Sequence, residues 1–524
     1  MSPLSIDAAL WCLPLIYLLS GFPALVGGRQ TAWRSAEGGA AAALAVTAVV
    51  PLLAIINHAA SAARADYTGM AMALLIAVLG WVIIRYSRRY LAGEPGQGRY
   101  IAALTTTLAS VAVVVVADHL VLVATAWMTS SLGLHQLLTF YRDRAAAQVV
   151  AHKKFLASRL ADLCMVAALV LFYSGAGTFS LHELNGRVSG MGELPGTLHA
   201  GMAFVALAAI LKSAQLPVHG WLIQVMEAPT PVSALLHAGI VNLGGFVLIR
   251  LAELLSAAPV AQSLLVVVGS VTAVLAGLVM MTRISIKVRL AWSTCAQMGF
   301  MLLECGLGLY DLAFLHLVAH SLYKAGAFLT AGEAVLDMRR AQMLAPGGAV
   351  SAPAGAVLAA RLAAAPLAVA GVFFSAAAWK LAVPALEVAP VVVLIVGLGL
   401  APLLWRQEGW TAVLLRGLPG VALLAQVYIA WHLAFGALVA LPAAAASTPL
   451  TFWVAACFLS LYVVQAWLLA FPHGGLSRTL YPWAYYGFYL DARFTRLTFR
   501  VWPVRLPASA PPHAVSHSLT GQPT

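Results

Sequence analysis

Three titratable side chains recur at one interval in an otherwise apolar stretch: His316, His320 and Lys324, at i, i+4 and i+8. On a helix this spacing sets all three on one stripe that climbs about 12 Å, at about 1.5 Å per residue. Histidine titrates near neutral pH, and burial pushes a lysine down toward that range, so the stripe can hand protons along with water between its members. The plainer reading is a polar stripe that glues two helices together. A charge in lipid costs about 2.5–3.5 kcal/mol on insertion scales, which favours the proton path.

Other ionisable residues sit in similar surroundings. Lys212 is followed by Pro217, which frees backbone carbonyls that a lysine can use; it is either a relay group or a structural lysine tying down the break. His237 follows a second break, Pro229-Thr230-Pro231, and is either a relay or a satisfied core histidine. Lys380 stands near a helix end, from which it could snorkel to the interface instead of relaying. Glu304 is an apolar-stretch carboxylate that could receive protons or simply end a helix. Arg159 and Asp162, at i and i+3, read as a local structural ion pair.

The elements holding these groups follow from composition. Of 524 residues, 62% are hydrophobic and 9% charged, and mean hydropathy is +0.91. Soluble domains carry about 25% charged residues, and their interior volume cannot hide this much apolar surface. An all-α polytopic membrane protein is expected. Apolar runs of about 20 residues give fourteen to fifteen expected spans, centred near residues 17, 48, 77, 108, 129, 165, 206, 238, 270, 298, 323, 370, 395, 425 and 460. The stretch before the first centre has no Lys or Arg and reads as a retained helix, not a cleaved leader.

The net charge of +12 comes from short loops, so it signals membrane orientation and not nucleic acid. Basic residues follow odd-numbered spans: Arg29 and Arg34; Arg85, Arg88, Arg89 and Arg99; Arg142, Arg144, Lys153 and Lys154; Arg283, Lys287 and Arg289; Arg339 and Arg340; Arg406 and Arg416. Loops after even-numbered spans are neutral or acidic, as at Asp118, Glu183, Glu193 and Asp311. This places the N-terminus outside and the C-terminus in the cytoplasm of an inner (plasma) membrane protein. His152, Lys153 and Lys154 read as a solvated basic loop. Residues 481–500 mix aromatics with arginines, as an interfacial helix or a partner-docking segment would, and the chain beyond Pro507 is expected to be disordered.

A faint repeat runs through the middle. Ala126-Trp127-Met128-Thr129-Ser130 returns as Ala291-Trp292-Ser293-Thr294-Cys295, and Lys212 with Pro217 returns as Lys380 with Pro384. An offset of five spans inverts orientation, the pattern of inverted-repeat transporters with broken helices. The expected division is residues 1–99 as N-terminal helices, 100–255 and 256–410 as the two repeats, 411–475 as C-terminal helices and 476–524 as a cytoplasmic tail. The five cysteines (Cys12, Cys164, Cys295, Cys305, Cys457) lie in apolar stretches without metal spacing and read as buried packing. No phosphate loop, Ser/His/Asp signature or metal cluster is present in the sequence, so no cofactor and no metal are expected on this chain and it does not read as an enzyme.

Longer motifs carry a resemblance. KSAQLPVHGWL at 212–222, MEAPTPVSALLHA at 226–238 and IKVRLAWSTCAQMGF at 286–300, with the His316/His320/Lys324 stretch, resemble the antiporter-like subunits of respiratory complex I and Mrp antiporters over residues 100–340. The resemblance implies two inverted five-helix repeats and a central hydrated chain of Lys, His and Glu. It assigns Lys212, His237, His316, His320, Lys324 and Lys380 to proton transfer. Two motifs depart from the pattern: the usual Trp-Glu is Trp127-Met128, and the usual Trp-Leu-Pro-Asp is Trp221-Leu222-Ile223-Gln224. Residues 127–135, 140–144, 153–162 and 481–503 look most like the DabB family, the membrane subunits of DAB inorganic carbon accumulation systems. That resemblance implies an H⁺- or Na⁺-conducting subunit driving a cytoplasmic DabA-like zinc protein similar to a β-carbonic anhydrase. The rival readings are a subunit of a Mrp-type Na⁺/H⁺ antiporter or of a complex I-like NADH-quinone oxidoreductase, and a scaffold that only anchors a soluble enzyme.

Overall fold

The computed structural model describes residues 9–58, 67–333, 353–384, 386–405, 410–438 and 447–503. Among these the chain is all-α, with no β-structure beyond one isolated bridge between His119 and Ser180. Lipid offers no hydrogen bonds to a bare backbone, so long apolar runs close their own bonds as helices. Eleven helices are long and apolar enough to cross a membrane, from Arg29–Leu52 to Thr448–Ala470. Three shorter apolar helices, Cys12–Val26, Gly196–Lys212 and Pro390–Trp405, and the more polar Ile286–Gly306 take the remaining expected positions. The chain beyond Pro507, the stretch before the first span and the expected basic positions Arg339, Arg340 and Arg406 lie outside the described residues.

One segment runs through the interior. Thr230–Arg250 is wholly buried and breaks in its middle, where Thr230–Ala238 ends at Gly239, a short turn Ile240–Asn242 follows, and Leu243–Arg250 resumes. Beside it, Pro259–Met281 packs against Ile286–Gly306 at a glycine seam. A Cβ on Gly299 would lie 2.6 Å from the Gly269 carbonyl oxygen, and one on Gly269 would lie 2.5 Å from that of Gly299. Only glycines permit this backbone approach, the way small residues join helices in lipid.

Three expectations are corrected. His152, Lys153 and Lys154 are not in a loop: they fall inside the 32-residue helix Ala145–Ala176, and both lysines are buried. Their charge density resembled a solvated turn, but no Gly or Pro interrupts the helical run around them. Of the cysteines only Cys295 and Cys305 are buried; Cys12 is exposed, and Cys164 and Cys457 are half-buried. The tail segment is two helices, Gly475–Tyr485 and Leu490–Val501, joined through Phe488 and Tyr489 in left-handed backbone conformations.

Candidate ion path

Lys212 ends the helix Gly196–Lys212 because the chain there turns through Ser213 and Ala214, the latter at φ 53°. Side chains from other helices take up the backbone groups this break exposes. The Leu216 N–H donates to Thr272 Oγ1 at 3.2 Å and the Cys295 thiol to the Ala214 carbonyl at 3.4 Å, while Ser213, in the break itself, donates its hydroxyl to the Val241 carbonyl of the central segment at 3.1 Å. A broken helix survives at membrane depth only with such partners. The buried Lys212 ammonium lies 2.8 Å from Asp162 Oδ1 and 4.4 Å from the centroid of the Trp127 ring. Asp162 is also 2.8 Å from Arg159 through its other oxygen. The expected local pair is therefore a triad, and its carboxylate serves a lysine fifty positions away in the chain. Met128, where relatives carry Glu, is exposed and supplies no charge.

A second group lies along Tyr310–Leu329. His316 Nδ1 stands 2.8 Å from Glu304 Oε2 across the neighbouring helix. The rings of His316 and His320 are 6.1 Å apart, nearly perpendicular. One turn further, Lys324 is fully buried and donates to the Leu290 carbonyl at 3.0 Å. His237, on the central broken segment, stacks on Phe328 at 4.3 Å, and Asn242 of the same segment donates to the Ser321 hydroxyl at 2.7 Å. The ring nitrogens of His237 and His320 are buried with no protein partner. Buried polar groups of this kind are ordinarily satisfied by water, which suits a wetted route. A cavity of about 440 Å³, lined by Glu304, His316 and Gln297 among apolar side chains, meets the Glu304 end of this line.

The structure thus joins Glu304, His316, His320, Lys324 and His237 in one group and Lys212 with Asp162 and Arg159 in another. Lys380 joins neither: it is exposed in the last turn of Ala354–Ala382. Sequence reasoning missed a third cluster. The buried Lys153 ammonium donates to Asp491 Oδ2 at 2.7 Å and to Gln224 Oε1 at 3.0 Å, and Gln224 in turn donates to Asp491 at 3.3 Å. Lys154 donates to the Ser131 hydroxyl at 2.6 Å and the Ser131 carbonyl at 2.9 Å. His219, between the two neighbouring spans, has its pKa pushed down to about 4 by burial, with the Asp491 carboxylate pulling the other way. Among the described residues no group of three or more His, Cys, Asp or Glu side chains is placed to hold a metal ion.

Known proteins share this architecture. Residues 117–397 match the family of the NADH:quinone oxidoreductase/Mrp antiporter transmembrane region, and residues 58–101 match the N-terminus of complex I chain 5. The class is that of antiporter-like membrane subunits. A probable inorganic carbon transporter subunit DabB of Hydrogenovibrio crunogenus is 40% identical over 84% of this chain and 83% of its own length. DabB2 of Halothiobacillus neapolitanus is 38% identical over 83% of this chain and 80% of its own. The chain belongs to the antiporter-like family, in its DabB group. The fold is shared with the Mrp complex of Dietzia sp. DQ12-45-1b (TM-score 0.53, 22% identity, 96% of this chain and 56% of that one). It is shared also with an archaeal membrane-bound sulfane sulfur reductase complex (TM-score 0.55, 14% identity, 94% and 99%).

Proposed function

We propose that this chain is the cation-conducting membrane subunit of an inorganic carbon transporter and that H⁺ or Na⁺ passes along its buried Lys/His/Glu line. The observation that carries the reading is the line itself: Glu304, His316, His320 and Lys324 meet His237 at the broken central segment, while Lys212 at the other break has its own carboxylate. Ionisable groups so costly in lipid are kept for ion passage. In inverted-repeat transporters, substrate and coupling-ion sites lie at such helix breaks. The relatives named as inorganic carbon transporter subunits supply the cargo. A DabA-like cytoplasmic zinc protein would hydrate carbon dioxide, so the zinc would belong to that partner. The chain would sit in the inner membrane with its N-terminus outside and its C-terminus in the cytoplasm, from the distribution of basic loops.

The test is reconstitution. Co-expression with the neighbouring soluble subunit should rescue growth of a carbonic-anhydrase-null host at ambient carbon dioxide. Vesicles holding the purified assembly should dissipate a pH gradient or a sodium gradient when substrate is present. Vesicles that dissipate neither would overturn the reading, and the gradient that collapses identifies the ion.

A further inference from the structure

Asp491 belongs to the tail, 338 residues from the lysine it meets. Its helix, Leu490–Val501, packs onto Ala145–Ala176 and the short helix Gly220–Ile223. Three observations set this carboxylate apart from an ordinary surface anchor. Lys153 is fully buried, and a buried ammonium needs a counter-charge. Gly220 leaves room for the carboxylate, since a Cβ there would lie 1.7 Å from Asp491 Oδ1. That oxygen is buried without a hydrogen-bond partner, while Oδ2 holds Lys153 and Gln224.

The arrangement repeats the deeper one. Asp162 faces Lys212 at 2.8 Å, and Asp491 faces Lys153 at 2.7 Å. Lys153, Lys154, Arg159 and Asp162 all ride on one helix, and nine residues of it span about 13 Å. Lys154, also buried, lies between the two pairs along this helix. Gln224 itself is neutral and touches both Lys153 and Asp491, so the only carboxylate in contact with Lys153 among the described residues comes from the tail.

We propose that Asp491 is an ion-path residue: the tail helix supplies the terminal carboxylate of the first repeat's route, at the end of the molecule that carries Arg142 and Arg144. A proton taken up at the unpartnered Oδ1 neutralises the carboxylate and frees Lys153, whose ammonium gives a proton inward toward a neutral Lys154 and the Asp162–Lys212 pair. The Asp491 carboxyl proton then moves to the neutral Lys153 amine, which restores the ammonium–carboxylate pair. The tail is thereby part of the conducting structure. This proposal rests on the ion-path reading above.

The experiment uses the full chain with its co-purifying subunit in vesicles of phosphatidylethanolamine and phosphatidylglycerol, read by dissipation of the pH or sodium gradient. Asp491→Asn keeps the side chain's shape and is expected to slow dissipation about tenfold or more. Gln224→Asp, placed in that background, puts a carboxylate back beside Lys153 and is expected to restore most of the rate. The neutral pair Lys153→Gln/Asp491→Asn leaves no orphaned charge to destabilise the fold and is expected to insert normally and conduct poorly. Native rates in Asp491→Asn or in the neutral pair would overturn the proposal, as would a loss in Asp491→Asn that Gln224→Asp does not restore, which marks a merely structural contact. Lys212→Ala, measured alongside, separates the two readings: if it too conducts at the native rate, the ion-path reading fails, and if it is silent while Asp491→Asn conducts, only the tail's part fails.

Discussion

Asp162 stands 2.8 Å from Lys212, and the two are brought together from separate helices while Arg159 holds the other carboxylate oxygen at 2.8 Å. The resemblance to complex I and Mrp subunits would place a glutamate after the fifth-span tryptophan as the lysine's partner. Here Met128 occupies that place, and the counter-charge arrives from the next helix. The lysine keeps a carboxylate although the motif has lost one.

Asp162→Asn should therefore silence the first group while the protein still inserts. Breaking a buried pair leaves an uncompensated charge worth about 3 kcal/mol or more. Gradient dissipation is expected to fall about tenfold or more, with Asp162→Glu retaining a measurable part, and quantitative membrane immunoblotting checks that the protein accumulates. Unchanged flux in Asp162→Asn would show that the pair only braces the helix.

The three lysines should separate by position. Lys324→Ala and Lys212→Ala are expected to abolish rescue of the carbonic-anhydrase-null host, because both side chains are buried in the line. Lys380→Ala should support growth near the native rate, because Lys380 is exposed at its helix end. A fully active Lys324→Ala complex would leave the chain as a passive anchor for its soluble partner.

Glu304→Gln removes the acceptor beside His316 without changing its size. A glutamine cannot stabilise an imidazolium as a carboxylate does. Flux should fall about tenfold or more, while Glu304→Asp, which keeps an anion, should retain a measurable part. Stopped-flow dye measurements on both variants would read the two rates. A native rate in Glu304→Gln would separate Glu304 from the route.

Gly220→Ala should dislodge the tail helix. The added methyl group falls within 1.7 Å of the Asp491 carboxylate, and the bulk of the fold has no need to respond. Limited trypsin digestion of membranes should cut at Arg493 and Arg496 several times faster than in the native chain. Equal cleavage rates would show that the tail seats elsewhere.

Much of this could be read from the residues alone, for local reasons. The His316, His320 and Lys324 stripe declares itself because its members share one uninterrupted helix at a helical interval. The spans declare themselves because lipid demands apolar runs of fixed length. The pairings of Lys212 with Asp162 and of Lys153 with Asp491 depend on how distant helices pack, and no spacing rule links positions so far apart. Lys153 and Lys154 were misplaced for a related reason: three charged or polar residues in a row look like a water-facing turn until a tail helix and Ser131 are seen to receive them. The one available hint is negative, the lack of any Gly or Pro between residues 145 and 174.

The break after Lys212 leans on Thr272 and Cys295, residues from the opposite half of the chain. The first half leaves the Leu216 N–H and the Ala214 carbonyl there for the second half to satisfy. A chimera joined between residues 255 and 256 would thus work only if the incoming half offered a hydroxyl and a thiol, or substitutes for them, at the same two places. Mismatched donors would leave the seam unfilled, however well each parent folds by itself.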